Sequence, residues 1–261
     1  MKSFRRLILF ILIILSACTF TACSFFSSKD YSSQINEISI NKMSANVKIL
    51  NSRRAYSQNG IRTDEIMGSG AIVAKDKDNF YYFITNYHVV DFEGYNSQTL
   101  KVVDHMGNST TLDSSWILYK DKTKDLALLK FYSSRELAVL KISKSYAETG
   151  DTVFALGSPN GQLNSVTVGV LISRMSAPIV DGSTRLETDD KKPLGVYSHD
   201  APIFGGSSGG ILLDIKLNLM AINYAGSTTP EGEFISGYAI PSPIVIEFLE
   251  KTNAKDLIEI I

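Results

Sequence analysis

Short apolar runs separated by turn residues recur along this chain, among them Phe80–Ile84, Leu100–Val103, Trp116–Tyr119, Thr152–Ala155 and Leu219–Ile222. β-branched and aromatic residues fill the pleated, half-buried surface of a strand, and many short strands in succession suggest a barrel. A body of about 200 residues is large enough for one sizeable core. Both cysteines, Cys18 and Cys23, fall near the N-terminus. The body therefore has no disulfide, and its stability has to come from packing.

Composition removes several classes of function. Lys and Arg number 26 against 27 Asp and Glu, for a net charge of −1. With no long basic block, nucleic acid is not an expected partner. No His/Cys cluster has the spacing of a metal site, so no metal is expected. Gly157–Gly161 reads as a turn, because no helix and no Lys-Ser pair follows it as a phosphate-binding loop would require. No cofactor is implied.

Chemistry concentrates in Asp200-Ala201-Pro202-Ile203-Phe204-Gly205-Gly206-Ser207-Ser208-Gly209-Gly210. Glycines around Ser208 permit backbone angles barred to other residues, so that the N–H groups of Gly206 and Ser208 can converge on a developing oxyanion. A serine nucleophile needs a base, and the base needs a carboxylate to fix its tautomer. Upstream, Thr85-Asn86-Tyr87-His88-Val89-Val90 follows the strand Phe80–Ile84 and places His88 at a strand end. Asp125 immediately precedes the apolar run Leu126–Leu129, with Asp121 and Asp91 as rivals. His105 reads as a hairpin tip, and His199 as a surface or pocket-wall residue.

These segments resemble the HtrA (DegP/DegQ/DegS) family of trypsin-like serine proteases. Gly68-Ser69-Gly70 resembles the family's opening strand, Thr85–Val90 its histidine motif, and Asp125-Leu126-Ala127-Leu128-Leu129-Lys130 its aspartate motif. Ala155–Gly161, Thr167–Ser173 and Gly237–Pro241 resemble the later loop, the strand after it and the approach to a closing helix, so the likeness covers roughly residues 65 to 252. The resemblance implies an all-β fold, a chymotrypsin-like double six-stranded β-barrel with a short C-terminal helix near Ser242 to Thr252. It implies a serine endopeptidase with His88, Asp125 and Ser208 as triad, Gly206 and Ser208 as oxyanion hole, and exported, unfolded polypeptides as substrates. Pro202 and Ile203 are expected to line the primary pocket; both are uncharged, which predicts small or medium aliphatic P1 residues. Ile222 and Asn223 are expected to line the cleft where an extended substrate adds as a strand.

The chain also departs from the family pattern. Gly205 and Ser207 stand where the family usually has proline and asparagine. Without the proline's fixed φ, a more flexible oxyanion turn is predicted. Ser207 is neutral and cannot capture a new N-terminal ammonium, which predicts maturation without insertion of a cut N-terminus. No PDZ domain is expected after the closing helix.

The N-terminus is basic through Arg6 and then wholly apolar from Leu7 to Leu15, a secretory signal pattern. Leu15-Ser16-Ala17-Cys18 fits a lipobox, with Cys23 as the second candidate for lipidation. The expected division is a lipoprotein signal peptide over residues 1–17 (alternatively 1–22), a flexible spacer over 18–42 and a protease domain over 43–261. The location follows as an exported bacterial lipoprotein anchored to the cell membrane and facing the outside or the periplasm. A homotrimer, common in the family, stays open. So do two other readings, a latent binding or chaperone-like lipoprotein with the same fold and a glutamyl endopeptidase-like protease.

Overall fold

The computed structural model describes residues 29–58, 60–177 and 186–261. The expected signal peptide, Cys18 and Cys23 lie outside these residues. Contacts divide the chain after Ser33, and the fold is that of the unit Gln34–Ile261. Within the segment read as spacer, helix α1 (Ser32–Glu37) passes through a π-helical turn at Ile38–Lys42 and a 3-10 turn at Met43–Ala45. Ile38 and Ala45 are fully buried, so apolar anchoring orders a stretch whose polar composition reads as spacer.

Strands β1 (Asn46–Ser57), β2 (Gly60–Lys75), β3 (Phe80–Thr85), β4 (Ser97–Val103), β5 (Ser109–Thr111), β6 (Ile117–Asp121) and β7 (Leu126–Tyr132) form one antiparallel sheet. Their order is β5-β4-β1-β2-β3-β7-β6. One turn of helix, α2 (Tyr87–Val90), follows β3. The second half holds β8 (Thr152–Gly157), β9 (Ser165–Ser176), β10 (Val196–His199), β11 (Ile211–Leu213), β12 (Leu219–Thr228) and β13 (Phe234–Pro241). They close as a barrel in the order β10-β13-β12-β11-β8-β9. Helix α3 (Ser242–Glu250) ends the barrel and buries Val245, Phe248 and Leu249; Pro243 in its first turn suits the helix start, where no backbone donor is needed.

The all-β, two-lobed architecture expected from the resemblance is present, with a closed six-stranded barrel in the second half and a seven-stranded half-barrel in the first. The extra strand is β5, three residues paired at the free edge of β4 through Lys101–Val103. In the first half Phe83 and Phe131 meet edge to face at 5.8 Å. In the second, Val153, Leu171, Tyr197, Leu212 and Met220 share one core. Each such side chain contributes about 1.5–3 kcal/mol by burial. β2 is solvated along its outer half and buried without interruption from Gly68 to Ala74. That inner stretch touches β8 and β11, so β2 is the seam between the two halves.

Candidate active site

Pairing between β3 and β7 sets Thr85 opposite Ala127. The chain leaving β3 through Asn86 therefore runs beside the chain about to enter β7 through Asp125. The Asn86 side chain donates to the Asp125 carbonyl at 2.9 Å. α2 then begins, the His88 main-chain N–H donates to Asp125 Oδ1 at 2.9 Å, and the His88 Nδ1 lies 2.8 Å from Asp125 Oδ2. Both carboxylate oxygens are engaged by one histidine. A carboxylate acceptor at Nδ1 assigns the ring proton there and leaves Nε2 as the basic nitrogen. Asp125 is buried at 3 % exposure, in the left-handed region at φ 51°. A short polar side chain tolerates that conformation better than most. The rival carboxylates are occupied elsewhere. Asp121 accepts from Thr123 and Lys124 within its own turn, and Asp91 accepts from the Tyr87 hydroxyl at 2.9 Å.

Ser208 lies across the seam, just before β11. Its hydroxyl donates to the Tyr224 carbonyl at 3.2 Å, and its own carbonyl accepts from the Ser69 N–H at 2.7 Å. Two glycines make this turn possible. Gly206 has φ 96°, and a Cβ there would lie 2.5 Å from the Ser158 carbonyl oxygen; at Gly209, φ 81°, it would lie 2.1 Å from the Ser69 oxygen. The Gly205 carbonyl accepts from the Asn160 N–H at 2.6 Å. In a trans peptide the N–H points opposite the C=O, so the Gly206 N–H faces away from Asn160.

Beside Ser208 is a pocket of about 210 Å³, lined by Ile203, Phe204, Ala225, Gly226 and Thr228, all uncharged. Phe204 also packs against Phe234, ring centroids 6.0 Å apart. Of the residues expected here, Ile203 lines the pocket. Pro202 is exposed beyond it, its carbonyl accepting from Thr167. Ile222 is fully buried, and Asn223 faces inward: its side chain donates to the Ile211 carbonyl at 3.1 Å, while its backbone pairs with Gly209 and Gly210. Asn223 thus braces the Ser208 turn from behind. A larger cavity of about 400 Å³, between Ser143–Ala147 and Asp214–Asn218, includes none of the expected site residues.

A serine in a glycine turn on a closed barrel, joined through β2 to the sheet that carries a His–Asp pair, is the layout of one peptidase group, and the trypsin-like peptidase domain matches residues 68–222. The chain belongs to the trypsin-like peptidase family. Its relatives are of HtrA type. The magnetosome formation protease MamE of Paramagnetospirillum magneticum is 32% identical over 189 residues, 72% of this chain and 24% of that protein. The periplasmic serine endoprotease DegP of Escherichia coli is 31% identical over 180 residues, 69% of this chain and 34% of DegP. The chain thus spans about a quarter to a third of the length of these relatives. Among solved structures, the HtrA-type protease AlgW with a tripeptide has the same fold, with a TM-score of 0.63 at 24% identity over 85% of this chain and 63% of that one.

Within this trypsin-like frame two buried polar groups went unread in the sequence. His199 is fully buried in β10, its Nε2 3.0 Å from Asn223 Oδ1, instead of lying at the surface or on a pocket wall. Both faces of β10 are covered because it belongs to a closed barrel, and Gly237 opposite leaves the space the ring occupies. Burial lowers the His199 pKa to about 4, with the Asn223 hydrogen bond acting weakly in the other direction. Lys124, next to Asp125, has a fully buried side chain that pairs with Asp189 and lies 3.6 Å from Asp121 and 3.5 Å from Glu247. Burial opposes its charge, but the Asp189 hydrogen bond and the neighbouring carboxylates outweigh that and raise its pKa. His105 does sit in a hairpin turn, between β4 and β5.

Proposed function

We propose that this chain is a serine endopeptidase with Ser208 as nucleophile, His88 as general base and Asp125 as the carboxylate that orients it. The observation that carries the reading is the two-point contact of Asp125 with His88, at 2.8 and 2.9 Å, on the sheet whose Ser69 N–H bonds the Ser208 carbonyl. Ser208 Oγ attacks the peptide carbonyl while its proton passes to His88 Nε2. Asp125 stabilises the imidazolium, and the Gly206 and Ser208 N–H groups receive the oxyanion. Collapse breaks the C–N bond as His88 returns the proton to the leaving amine, and water then releases the acyl group by the same steps. The chemistry asks for no cofactor.

The uncharged pocket of about 210 Å³ supports small to medium aliphatic P1 residues, since a charged side chain there would be unpaired. Backbone of Tyr224 to Gly226, beside the pocket, is the edge on which an extended peptide would add, and this favours unfolded polypeptides over folded ones. Export, and a lipid anchor at Cys18 or Cys23 facing the outside or the periplasm, rest on the N-terminal sequence. DegP, named as a periplasmic endoprotease, supports the compartment.

The test is a fluorophosphonate probe with casein cleavage in parallel, on wild type and Ser208→Ala. Labelling and cleavage in wild type, both lost in Ser208→Ala, is the expected result. A folded wild type that neither labels nor cleaves would shift the reading to a binding protein on a peptidase fold. A P1 library preferring glutamate would instead point to a glutamyl endopeptidase-like enzyme.

A further inference from the structure

Ser69 is fully buried on β2, opposite Lys48 of β1, and belongs to the first half of the molecule. Its main-chain N–H donates to the Ser208 carbonyl at 2.7 Å, and its main-chain carbonyl accepts from the Thr85 hydroxyl at 2.7 Å. The Ser69 hydroxyl donates to the Gly206 carbonyl at 2.8 Å and accepts from the Ser158 N–H at 2.9 Å. Its single proton and an acceptor lone pair are both committed, so the hydroxyl has one orientation. Both side-chain partners belong to the second half.

These contacts bear on the softest part of the proposed site. Gly205 and Gly206 are adjacent glycines, and such a pair can rotate its peptide at little steric cost. Ser207 offers no carboxylate to hold the turn through an ion pair; its hydroxyl is turned inward and accepts from the Phe204 N–H at 3.2 Å. The carbonyls on both sides of Gly206 are nevertheless fixed, that of Gly205 by Asn160 and that of Gly206 by Ser69. The Asn160 bond sets the direction of the Gly206 N–H, which shares a peptide plane with the Gly205 carbonyl, and the Ser69 bond holds the adjoining Gly206–Ser207 peptide, so that neither plane can turn without breaking a hydrogen bond. We infer that Ser69 is a positioning residue: its hydroxyl, reaching across from the first half, holds the Gly206–Ser207 peptide, and so backs up the Asn160 bond that orients the Gly206 N–H and keeps the oxyanion hole formed in the resting protein. Thr85, bonded to the Ser69 carbonyl and three residues before His88, links the same hub to the histidine. The flexibility predicted from the missing proline at position 205 is thereby countered by a tertiary contact.

The inference rests on the serine-peptidase reading, and its test separates the two. Full-length wild type, Ser69→Ala and Ser69→Cys are compared by steady-state kinetics on a peptide substrate, by affinity for a peptide boronate and by hydrogen exchange of residues 204–210. Removing the hydroxyl should lower kcat about 100-fold with KM nearly unchanged, because the loss falls on the transition state. Boronate affinity should fall in parallel, and Ser69→Cys, which keeps a weak donor, should lie between the other two. Exchange should accelerate in 204–210 while β3 and β7 stay protected. Unchanged kcat and unchanged turn exchange in Ser69→Ala would overturn the proposal, and so would loss of protection throughout the fold, which would make Ser69 a packing residue. If wild type neither turns over substrate nor labels with fluorophosphonate, the peptidase reading falls, and the exchange pattern alone still decides whether Ser69 holds the turn.

Discussion

The two halves contribute to the candidate site in different currencies. The first half supplies side chains from strand ends, with His88 and Asp125 brought together by the β3–β7 register and tied by two hydrogen bonds. The second supplies backbone, a glycine turn whose N–H directions matter as much as the Ser208 hydroxyl. Strand register brings the two chain segments together, and short local bonds from Asn86 and the His88 N–H to Asp125 complete the first arrangement. The glycine turn has internal bonds from Ser207 to Phe204 and from Gly210 to Ser207, but none of them holds the Gly205 or Gly206 carbonyl. Its geometry depends on Asn160 from the neighbouring loop, Asn223 from β12 and Ser69 from the other half.

Polar groups are buried differently as well. Near Asp125 a buried charge, Lys124, is met by the carboxylates of Asp121 and of the half-exposed Asp189 and Glu247. Behind Ser208 a histidine is buried neutral against Asn223. The first kind responds to salt and to loss of a partner, the second to pH.

The sharpest way to break this comparison is at the His–Asp pair. Asp125→Asn keeps the shape but offers an amide donor to one ring nitrogen, favouring the wrong tautomer; kcat at neutral pH should fall about 10⁴-fold with the fold intact. A fall under about tenfold would mean that the orientation of His88 does not depend on Asp125.

The next effect belongs to His199. Its folded pKa, about 4, lies below its ordinary value of 6.5. Between these pH values the unfolded chain binds the proton and the folded one does not, so stability falls as pH drops through 6.5 and levels off near 4. The full loss from this one group is about 3 kcal/mol. Thermal unfolding of wild type and His199→Gln across pH 4–8 checks it: the variant should show a shallower acid slope, and parallel slopes would show that His199 is not the titrating group.

Smallest is the expected effect of Lys124→Met, which leaves the surrounding carboxylates without their buried cation. Because Asp189 and Glu247 are half exposed and screened by solvent, the loss should be about 1–2 kcal/mol at low salt and should shrink as salt rises. Denaturant melts at two ionic strengths measure it, and a salt-independent loss would mean the lysine acts through packing alone.

Much of the site was legible because its residues sit in local contexts with one mechanical meaning: a histidine at a strand end, an aspartate just before an apolar strand, a serine among glycines. What escaped reading were residues whose role depends on a distant partner. Ser69 appeared only as the middle of a Gly-Ser-Gly strand opening. His199 was placed at the surface or on a pocket wall because strand alternation says that neighbours point to opposite faces without saying that both faces are covered. Pro202 and Asn223 were expected toward substrate by their proximity to the motif; the turn carries Pro202 out into solvent and Asn223 into the barrel. Phe204, which lines the pocket, and Phe234, which packs against it, are 30 positions apart and share no local pattern.

By itself, then, the sequence determined the strand-rich architecture, the order of His88, Asp125 and Ser208 along the chain, and the need for glycine around Ser208, because periodicity and backbone freedom are properties of neighbouring residues. Tertiary structure alone decided that the first half stays an open seven-stranded sheet, that His199 is buried neutral, and that a hydroxyl from β2 bonds the Gly206 carbonyl across the seam. Those outcomes are set by which surfaces meet when the two halves pack, and a contact between residues 69 and 206 leaves no periodic trace in a linear chain.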